Sequence, residues 1–299
     1  MLTNQVLERI RVTPGVKVKL KHHDPAWTIH TKLAHPSEEK VKAEAEDLLQ
    51  KNLNELAKAQ DLLYASGSHA LLIILQALDA AGKDGTIKHV LAGVNPQGCQ
   101  VTSFKQPSAE ELRHGFLWRH AKAAPERGMI GIHNRSHYEE VLVVRVHPEW
   151  LAKRQVPLAD VTKKFWERRY QDINNFERYL TRNGTVVLKL FLHISKEAQK
   201  QRFLERLEKP EKYWKFSEAD LAEREHWDEY AKAYEHALSA TSTPWAPWYV
   251  IPADHKWSAR VLVAETIATA IRELNLTYPE VGSEVRGRLA TAKAALLRE

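Results

Sequence analysis

Residues 71–87 constrain the fold of this chain more than any other segment. They begin with an apolar run, continue through a loop of small residues and reach Gly82-Lys83, where a helical pattern starts. A short apolar run bounded by small residues is typical of a buried strand. The N–H groups at the start of a helix, the helix dipole and a lysine together form a binding site for phosphate. The segment therefore predicts an α/β fold with a phosphate-binding loop.

The loop matches the standard phosphate-binding pattern G-x-x-x-x-G-K-S/T only in part. Ala77 stands where the first glycine is expected, and Asp84 stands where a serine or threonine would hold Mg²⁺. Asp79 and Asp84 flank Lys83, and carboxylate oxygens are suitable Mg²⁺ ligands, so they could replace the missing hydroxyl. Taken alone, the segment fits equally well an ordinary strand–turn–helix in which Gly82 only ends a turn.

The amino-acid composition indicates which kind of binding partner and which cellular compartment suit this chain. The chain has 299 residues, a net charge of +6 and an isoelectric point near 9.2, so its surface favours anions: nucleic acid, nucleotides or another polyphosphate. Cys99 is the only cysteine, which excludes a disulfide scaffold and a cysteine-rich zinc site. No apolar run approaches the roughly 20 residues of a membrane span, and the first residues lack a signal-peptide core. We therefore expect a cytoplasmic protein.

Apolar, β-rich runs alternate with helical patterns along the rest of the chain. Four runs follow the first strand, at residues 100–104, 129–133, 186–194 and 248–252. Helical patterns lie at residues 84–93, 108–121, 136–146, 159–182 and 195–207. A long helix capped by Ser37 precedes the first strand and runs to about Ala65. This alternation predicts a parallel sheet flanked by helices on both faces, with ligands at the carboxyl ends of the strands.

A second strand–helix junction, at residues 132–142, carries other residues expected near a phosphate. Arg135 directly follows a predicted strand, and a guanidinium group binds two phosphate oxygens without losing its charge. Glu139 and Glu140 could bring acidic groups to a metal, as in other phosphate-loop enzymes. They fit equally well as solvated acids in the first turn of a helix. For Arg135 we favour the phosphate-binding interpretation.

Residues 195–227 contain a basic helix and loop that could close over bound phosphates. Aromatic residues separate the cations of this segment, which include Arg202, Arg206, Lys209, Lys212 and Lys215. A lid of this kind excludes water, which would otherwise compete as phosphoryl acceptor. Alternatively, neighbouring glutamates pair with most of these cations on a solvated hairpin. These glutamates are Glu205, Glu208 and Glu211. Arg202 and Arg206 share one helix face and are the stronger candidates for phosphate binding.

No internal repeat or long linker divides the chain, so we expect one main domain with terminal additions. The irregular N-terminal arm is predicted at residues 1–35. The main α/β domain is predicted at residues 36–275, with a lid at about residues 196–227. A C-terminal helical extension is predicted at residues 276–299.

Taken together, several motifs in order resemble the polyphosphate kinase 2 family. They are LQALDAAGKDGTI at residues 75–87, GVNPQG at 93–98, NRSHYE at 134–139, LHISK at 192–196, KYWKF at 212–216 and STPWAPWYVIP at 242–252. Several motifs in the right order are more specific than a single loop, and the resemblance extends over roughly residues 35–275. The chain looks most similar to the class III branch, because Asn134 and His137 replace an aspartate and a tryptophan of other branches.

This resemblance implies a thymidylate-kinase-like P-loop fold. It also implies an enzyme that moves a phosphoryl group, reversibly, from inorganic polyphosphate to AMP or ADP, with Mg²⁺ or alternatively Mn²⁺. Lys83 and Arg135 would contact the phosphates. Asp79 would hold the metal or the acceptor phosphate, and Glu139 would line the nucleotide site. Glu140 departs from the family pattern, where aspartate is common, and its extra methylene would shift a metal-binding carboxylate.

The predicted site residues fall into four overlapping groups. The catalytic residues are Asp79, Lys83 and Arg135. The phosphate-binding residues are Gly82, Lys83, Asp84, Gly85, Thr86, Lys88, Arg135, Arg202 and Arg206. The nucleotide-binding residues are Asn95, Pro96, Asn134, Tyr138 and Glu139. The metal ligands are Asp79, Asp84 and Glu140.

The expected reaction is an in-line phosphoryl transfer in which positioning and charge neutralisation supply most of the catalysis. Two other functions fit parts of the sequence. An ATP-dependent nucleotide or small-molecule kinase could use the same loop. A basic nucleic-acid-binding protein would share the charge, but the chain has no recognisable helix-turn-helix or aromatic RNA-binding motif. We expect a homo-oligomer, and neither nucleic-acid nor membrane partners.

Overall fold

The structure of the protein is a computed structural model, which describes residues 4–29, 37–154, 156 and 160–299. Its centre is a parallel sheet. The strands are β1 Ala70–Ala77, β2 Cys99–Ser103, β3 Ile130–Asn134, β4 Thr185–His193 and β5 Trp248–Pro252, in the spatial order β2-β3-β1-β4-β5. Each strand lies within one or two residues of its predicted position, so the sequence-based sheet is confirmed.

The central position of β1 explains its composition. Leu75 of β1 lies opposite Asn134 of β3 on one side and opposite Leu190 of β4 on the other. All eight residues of β1 are buried. A strand covered on both faces needs a continuous apolar run rather than an alternating one. Because the strands are parallel, the carboxyl ends of β1 and β3 lie side by side.

The α-helices connect the strands and cover the sheet. They are α1 Asn4–Ile10, α2 Glu38–Ser66, α3 Lys83–Val90, α4 Ala109–Leu112, α5 Trp118–Lys122, α6 Val143–Val146, α7 Lys163–Arg182, α8 Lys196–Glu208, α9 Glu218–Glu223, α10 Trp227–Thr241, α11 Lys256–Arg272 and α12 Ser283–Leu296. The helices α2, α3 and α11 pack on one face of the sheet, and α6, α7 and α10 pack on the other. The α/β architecture with helices on both faces is confirmed.

The long helix before the first strand has the predicted ends. Ser37 caps α2 by accepting a hydrogen bond from the Lys40 N–H. Gly67 ends the helix in the left-handed region, with φ 56°. The helix α7 begins at Lys163. The sequence predicts its start at residue 159, which lies outside the described residues.

Two predicted helices are interrupted. Residues 108–121 form α4 and α5, which a turn separates. Residues 136–146 form the 3-10 helix His137–Glu140 and then α6, because Leu142 has φ −111° and ψ −85°, outside the helical region. Leu142 is buried in the core between the sheet and α7, and this burial stabilises the irregular backbone.

The N-terminal arm is less irregular than the sequence predicts. Its first described residues form α1, whose Ile10 is buried in the core beside β5. The Val12 N–H donates to the Trp248 carbonyl oxygen at 2.8 Å. The arm thereby covers the outer edge of β5, where N–H and C=O groups would otherwise lack partners. The rest of the predicted arm, residues 1–3 and 30–35, lies outside the described residues.

The last described helix, α12, is exposed along its whole length. Every residue from 277 to 299 is exposed, including Leu289, Leu296 and Leu297. The division of the chain into an arm, a main domain and a C-terminal extension stays a prediction. Among the residues that the structure describes, no helix is both long and apolar enough to cross a membrane.

A buried charged network joins the sheet to α7 and α10. The Lys189 side chain of β4 is fully buried, and its Nζ donates to Glu177 Oε2 at 2.6 Å and to the Thr241 carbonyl oxygen at 2.6 Å. It also donates to the Tyr138 hydroxyl at 3.0 Å. Burial lowers the pKa of Lys189, whereas the Glu177 carboxylate raises it. The network holds the chain that follows β3 against the sheet.

Removing one partner of this network should be far more destabilising than removing both. We expect Glu177→Leu to lower the free energy of unfolding by about 3–5 kcal/mol, because the Lys189 ammonium would stay buried without a counter-charge. The double variant with Lys189→Met should recover much of the loss. Urea denaturation of the wild type, both single variants and the double variant measures the coupling.

An exposed ion pair is the control for this prediction. Lys163 Nζ lies 3.6 Å from Glu167 Oε1, with both side chains mostly in solvent. Glu167→Leu should change the free energy of unfolding little, since exposed pairs contribute weakly. A Glu177→Leu variant as stable as the wild type would contradict the role of the buried pair.

Candidate active site

The loop that joins β1 to α3 has a backbone conformation that few residues adopt. Ala80 has φ 59° and Gly82 has φ 105°, both in the left-handed region. Gly82 has no Cβ and takes this conformation freely, whereas Ala80 is strained by about 1 kcal/mol or more. The turn places the first N–H groups of α3 at the carboxyl edge of the sheet, where they can bind an anion.

Lys83, the first residue of α3, turns back over this loop. Its Nζ donates to the carbonyl oxygen of Ala77 at 2.8 Å and to that of Leu78 at 3.3 Å. Burial lowers the pKa of Lys83, the nearby Arg135 guanidinium lowers it further, and three neighbouring carboxylates raise it. The ammonium group is therefore held at the loop, in a position where a bound phosphate would stabilise its charge.

Arg135 follows β3 directly and has a left-handed backbone with φ 63°. One guanidinium nitrogen lies 2.8 Å from Asp79 Oδ1, and the other lies 3.6 Å from Glu139 Oε2. Burial lowers the pKa of Arg135, but the Glu139 and Asp79 carboxylates raise it above its ordinary value. For Glu139, burial raises the pKa and the Arg135 and Lys83 charges lower it, with a net increase. The structure thus brings together the three predicted catalytic residues and Glu139.

Asn134, the last residue of β3, joins this strand to the phosphate loop. Its Nδ2 donates to Asp84 Oδ1 at 2.8 Å and approaches Ser103 Oγ at 3.4 Å. Its Oδ1 is buried without a hydrogen-bond partner among the described residues. A buried acceptor without a partner is costly, so a bound group that donates a hydrogen bond there would be stabilised.

A cavity of about 530 Å³ opens between the loops that follow β1 and β3. The predicted residues that line it are Asp79, Gly82, Lys83, Asp84, Gly85, Asn134, Arg135 and Arg206. Lys105, shortly after β2, and Lys215, at the end of the 3-10 helix Pro210–Lys215, line it as well. Several cations and two carboxylates therefore share one cavity. This composition suits a phosphate chain bound together with a divalent metal.

A second cavity of about 180 Å³ adjoins the first, since Gly82, Gly85 and Arg206 line both. Its cations are Arg202, Arg206, Lys212, Lys215, Lys256 and Arg260. Thr86, another predicted phosphate-binding residue, also lines it. Among the described residues that line this cavity, one is acidic, Glu205, and none is aromatic. The two cavities therefore adjoin at the carboxyl edge of the sheet, and cations line both of them.

Tyr138 does not reach either cavity. Its side chain is fully buried, and its hydroxyl donates to Glu177 Oε1 at 2.8 Å. Its ring packs edge-on against Trp248, with the ring centroids 4.7 Å apart. The structure therefore corrects the predicted placement of Tyr138 in the nucleotide site: this side chain supports the segment after β3 from inside.

Glu140 is also buried away from the cavities. Its carboxylate accepts hydrogen bonds from Arg154 and, at 2.8 Å, from Arg169 Nη1. The residue lies in a 3-10 helix, which directs neighbouring side chains to different sides, so that Glu139 contacts Arg135 while Glu140 points into the protein. The geometry corrects the placement of Glu140 among the metal ligands.

Three further predicted residues lie away from both cavities. Asn95 and Pro96 precede β2, so they lie at the amino edge of the parallel sheet, whereas the cavities open at its carboxyl edge. The Asn95 side chain caps a short 3-10 helix by accepting the Gln97 N–H at 3.0 Å. Lys88 is exposed in the last turn of α3 and lines neither cavity.

Arg202 supports the phosphate loop instead of extending freely into the cavity. Its Nη1 donates to the carbonyl oxygens of Ala80 at 3.1 Å and Ala81 at 2.6 Å. Its Nη2 donates to those of Ala253 and Asp254. The guanidinium group therefore joins the loop after β1 to the loop after β5. The sequence predicts that Arg202 binds the phosphates. In the structure, its guanidinium group instead donates hydrogen bonds to backbone carbonyl oxygens.

Sequence reasoning missed three cations of the two cavities, which are Lys105, Lys256 and Arg260. Lys212 and Lys215, which also line them, appear among the cations of residues 195–227 but were not chosen as site residues. Lys105 and Lys256 come shortly after β2 and β5, so the rule that ligands bind at the carboxyl ends of parallel strands could have identified them. No sequence pattern marks Arg260, which reaches the cavity because α11 packs against α3.

The strand order, the lysine-bearing loop after β1 and the helical lid define a P-loop kinase fold. A family model described as Polyphosphate kinase 2 matches residues 38–278. The crystal structure of Polyphosphate Kinase 2 from Arthrobacter aurescens TC1 superposes with a TM-score of 0.86 at 41% sequence identity, covering 98% of this chain and 96% of that one. The chain belongs to the polyphosphate kinase 2 family.

Two curated relatives match most of the chain. The ADP-polyphosphate phosphotransferase of Rhodopseudomonas palustris is 53% identical over 253 residues, which is 84% of this chain and 88% of that protein. The AMP/ADP-polyphosphate phosphotransferase of Meiothermus ruber is 45% identical over 274 residues, which is 92% of this chain and 96% of that protein. These matches confirm the family resemblance that the sequence motifs indicate.

Variants of Arg202 and Arg206 should separate loop support from anion binding. We expect Arg202→Met to lower the free energy of unfolding by about 2–3 kcal/mol, because backbone carbonyls of two loops lose a charged donor. Arg206→Met, on the same helix face, should change unfolding little and weaken the binding of tripolyphosphate. Urea denaturation and calorimetric titration with tripolyphosphate measure the two effects. Equal stability of the two variants would contradict the supporting role of Arg202.

Proposed function

We propose that this protein transfers a phosphoryl group, reversibly, from inorganic polyphosphate to AMP and to ADP, with Mg²⁺ as cofactor. The observation that carries the proposal is the pair of adjoining cavities, which cations line and in the first of which Asp79 and Arg135 form an ion pair. The names of the two curated relatives support it, since one is an ADP-polyphosphate and the other an AMP/ADP-polyphosphate phosphotransferase.

The second cavity suits a polyphosphate donor better than ATP. Polyphosphate carries about one negative charge per phosphate and needs neutralisation along its whole length. The six cations of the cavity provide this. An adenine base would instead need an apolar or aromatic surface. Ala80, Ala253 and Ala259 leave room for a chain but offer little surface on which a base could stack.

Asp79 and Asp84 form a suitable ligand set for Mg²⁺. They lie on either side of Lys83 in the sequence and line the same cavity. Magnesium is usually held by one or two carboxylates together with substrate phosphates, and Mn²⁺ takes the same type of ligand. When bound, the metal would neutralise and orient phosphate oxygens.

The side chains of the first cavity position the substrates and neutralise their charge. Lys83 and the first N–H groups of α3 would bind the donor phosphates. Arg135 would stabilise the charge on the phosphoryl group during transfer, because its guanidinium group keeps its charge and binds two oxygens. Asp79 holds Arg135 at 2.8 Å and would orient the acceptor phosphate. A phosphate oxygen of the acceptor is already ionised, so no general base is needed.

The lid would exclude water from the transfer. Arg206 of α8 lies 3.2 Å from Asp220 of α9, and the Gln199 side chain donates to the Asp79 carbonyl oxygen at 2.8 Å. The first contact lies within the lid, and the second holds the lid against the phosphate loop. Exclusion of water prevents hydrolysis of the phosphoryl group and strengthens the electrostatic interactions at the site.

Both AMP and ADP are proposed as acceptors. The class III resemblance at Asn134 and His137 supports this, as does the Meiothermus ruber relative, whose name includes both nucleotides. We propose Glu139, which contacts Arg135, as the acidic residue nearest the acceptor. The homo-oligomer, the cytoplasmic location and the absence of nucleic-acid partners, all expected from the sequence, stay predictions.

Nucleotide analysis is the direct test of the donor and the acceptors. With polyphosphate and Mg²⁺, we expect ADP to form from AMP and ATP to form from ADP, and chelation of the metal should stop both reactions. Conversion of ADP alone would restrict the acceptor and contradict the class III assignment. Phosphorylation of an acceptor by ATP but never by polyphosphate would replace the proposal with an ATP-dependent kinase.

Substitutions in the first cavity should lower kcat strongly. We expect Asp79→Asn and Lys83→Ala each to lower kcat about 100-fold or more, because each removes a charge that acts on the reacting phosphates. Lys88→Ala is the matched control, since Lys88 is exposed on the same helix as Lys83 and lines neither cavity. Steady-state kinetics with ADP and polyphosphate measure the effect. Full activity of either cavity variant would contradict its assigned role.

A further inference from the structure

The second cavity contains an anion of the protein itself. Glu205, on α8, lines this cavity among six cations. Its side chain is about one-third exposed, so it is open to solvent and to a ligand in the cavity. A carboxylate in a channel that binds a polyanion opposes that binding by charge repulsion, unless it is neutralised or moves away.

Three lysines from three elements converge on this carboxylate. Lys209, directly after α8, lies 3.0 Å from Glu205 Oε1, and Lys212, in the lid, lies 2.6 Å from the same oxygen. Lys256, the first residue of α11, lies 3.6 Å from Oε2. Hydrogen bonds from Lys212 and Lys209 lower the pKa of Glu205 to about 2, so the carboxylate is ionised at neutral pH.

The Glu205 carboxylate therefore has the environment that a phosphate unit of a bound chain would have. Both groups carry about one negative charge and present two oxygens. Lys212 and Lys256 also line the cavity, so they would be ligands for such a phosphate. A chain that enters the second cavity must displace Glu205 from these lysines or lie beside it.

We propose that Glu205 is an internal competitor that sets the preference of the enzyme for donor chain length. A short donor that occupies only the first cavity does not meet Glu205, whereas a longer donor does. Each phosphate that replaces Glu205 exchanges one anion for another, so the added length gains less affinity than the six cations alone would provide. This inference rests on the proposed function, in particular on the path of polyphosphate through the second cavity.

The side chains involved can make this exchange at small cost. Lys209 and Lys256 are each about half exposed, and Glu205 and Lys212 about one-third. Ion pairs with this exposure are screened by solvent and contribute weakly to stability. The exchange therefore changes the affinity for the chain without unfolding the lid.

Glu205→Gln tests the inference, because glutamine keeps the size of the side chain and removes its charge. Titration calorimetry without nucleotide would compare long-chain polyphosphate with tripolyphosphate on the full-length protein at several salt concentrations. We expect about three- to tenfold tighter binding of the long chain at low salt. The slope of log affinity against log salt should become steeper by about 1. The affinity for tripolyphosphate should stay that of the wild type.

Glu208→Gln is the matched control for charge. Glu208 lies on the same helix, is exposed and does not line the cavity. The Glu208→Gln variant should therefore bind the long chain with the affinity of the wild type. Glu205→Ala is a second variant of the same position and should reproduce the gain; urea denaturation checks that each variant is folded.

Three results would overturn the inference. The first is that both Glu205 variants bind the long chain no more tightly than the wild type does. The second is that the Glu205 variants bind tripolyphosphate more tightly by the same factor as the long chain. The third is that Glu208→Gln increases the affinity for the long chain equally. The Arg260→Gln variant tests the proposed donor path independently of Glu205. Arg260 lines the second cavity but does not contact Glu205 directly. Weaker binding of the long chain by Arg260→Gln supports the path, whatever the result for Glu205. Wild-type binding by Arg260→Gln would overturn the path and the inference with it.

Discussion

The parallel pairing of β1 with β3 on one side and β4 on the other is the constraint on which the site depends. It brings the loops after β1 and β3 to the same edge of the sheet, where Asp79 and Arg135 meet at 2.8 Å. Because β1 is buried along its whole length and helices cover both faces, these strand ends have little freedom. The loops can therefore keep strained backbone conformations at Ala80 and Arg135, which packing elsewhere compensates.

Charge is arranged in two layers at this edge. Behind the site, the buried Lys189–Glu177 pair and the buried Glu140 with its arginines are neutralised within the protein. In front of it, cations outnumber carboxylates along both cavities. The inner layer fixes the backbone after β3, and the outer layer keeps charge available for an anionic ligand. Within the second cavity, Glu205 pairs with Lys212 and Lys256, which also line it.

The fold and the centre of the site could be predicted from local sequence. The apolar runs predict all five strands within one or two residues. Lys83 is identifiable because it follows a strand and its loop, and Arg135 because it directly follows a strand. Local patterns misplaced Asn95, Pro96 and Lys88, which lie away from both cavities. They also misplaced Tyr138, Glu140 and Arg202, for a different reason. Each of Tyr138, Glu140 and Arg202 has a side chain that suits the expected ligand, but that side chain is hydrogen-bonded to a residue distant in sequence.

The sequence by itself determined the parallel α/β sheet, the phosphate loop and the net positive charge, because these follow from periodicity, from the order of residues within one loop and from composition. Only the tertiary structure decided which charged groups face the ligand. Glu139 lies beside Arg135, whereas Glu140 is buried between arginines. This difference depends on the turn of the 3-10 helix and on partners from other elements. In the same way, Arg260 lines the second cavity through the packing of α11 on α3, a contact between segments that local sequence does not specify.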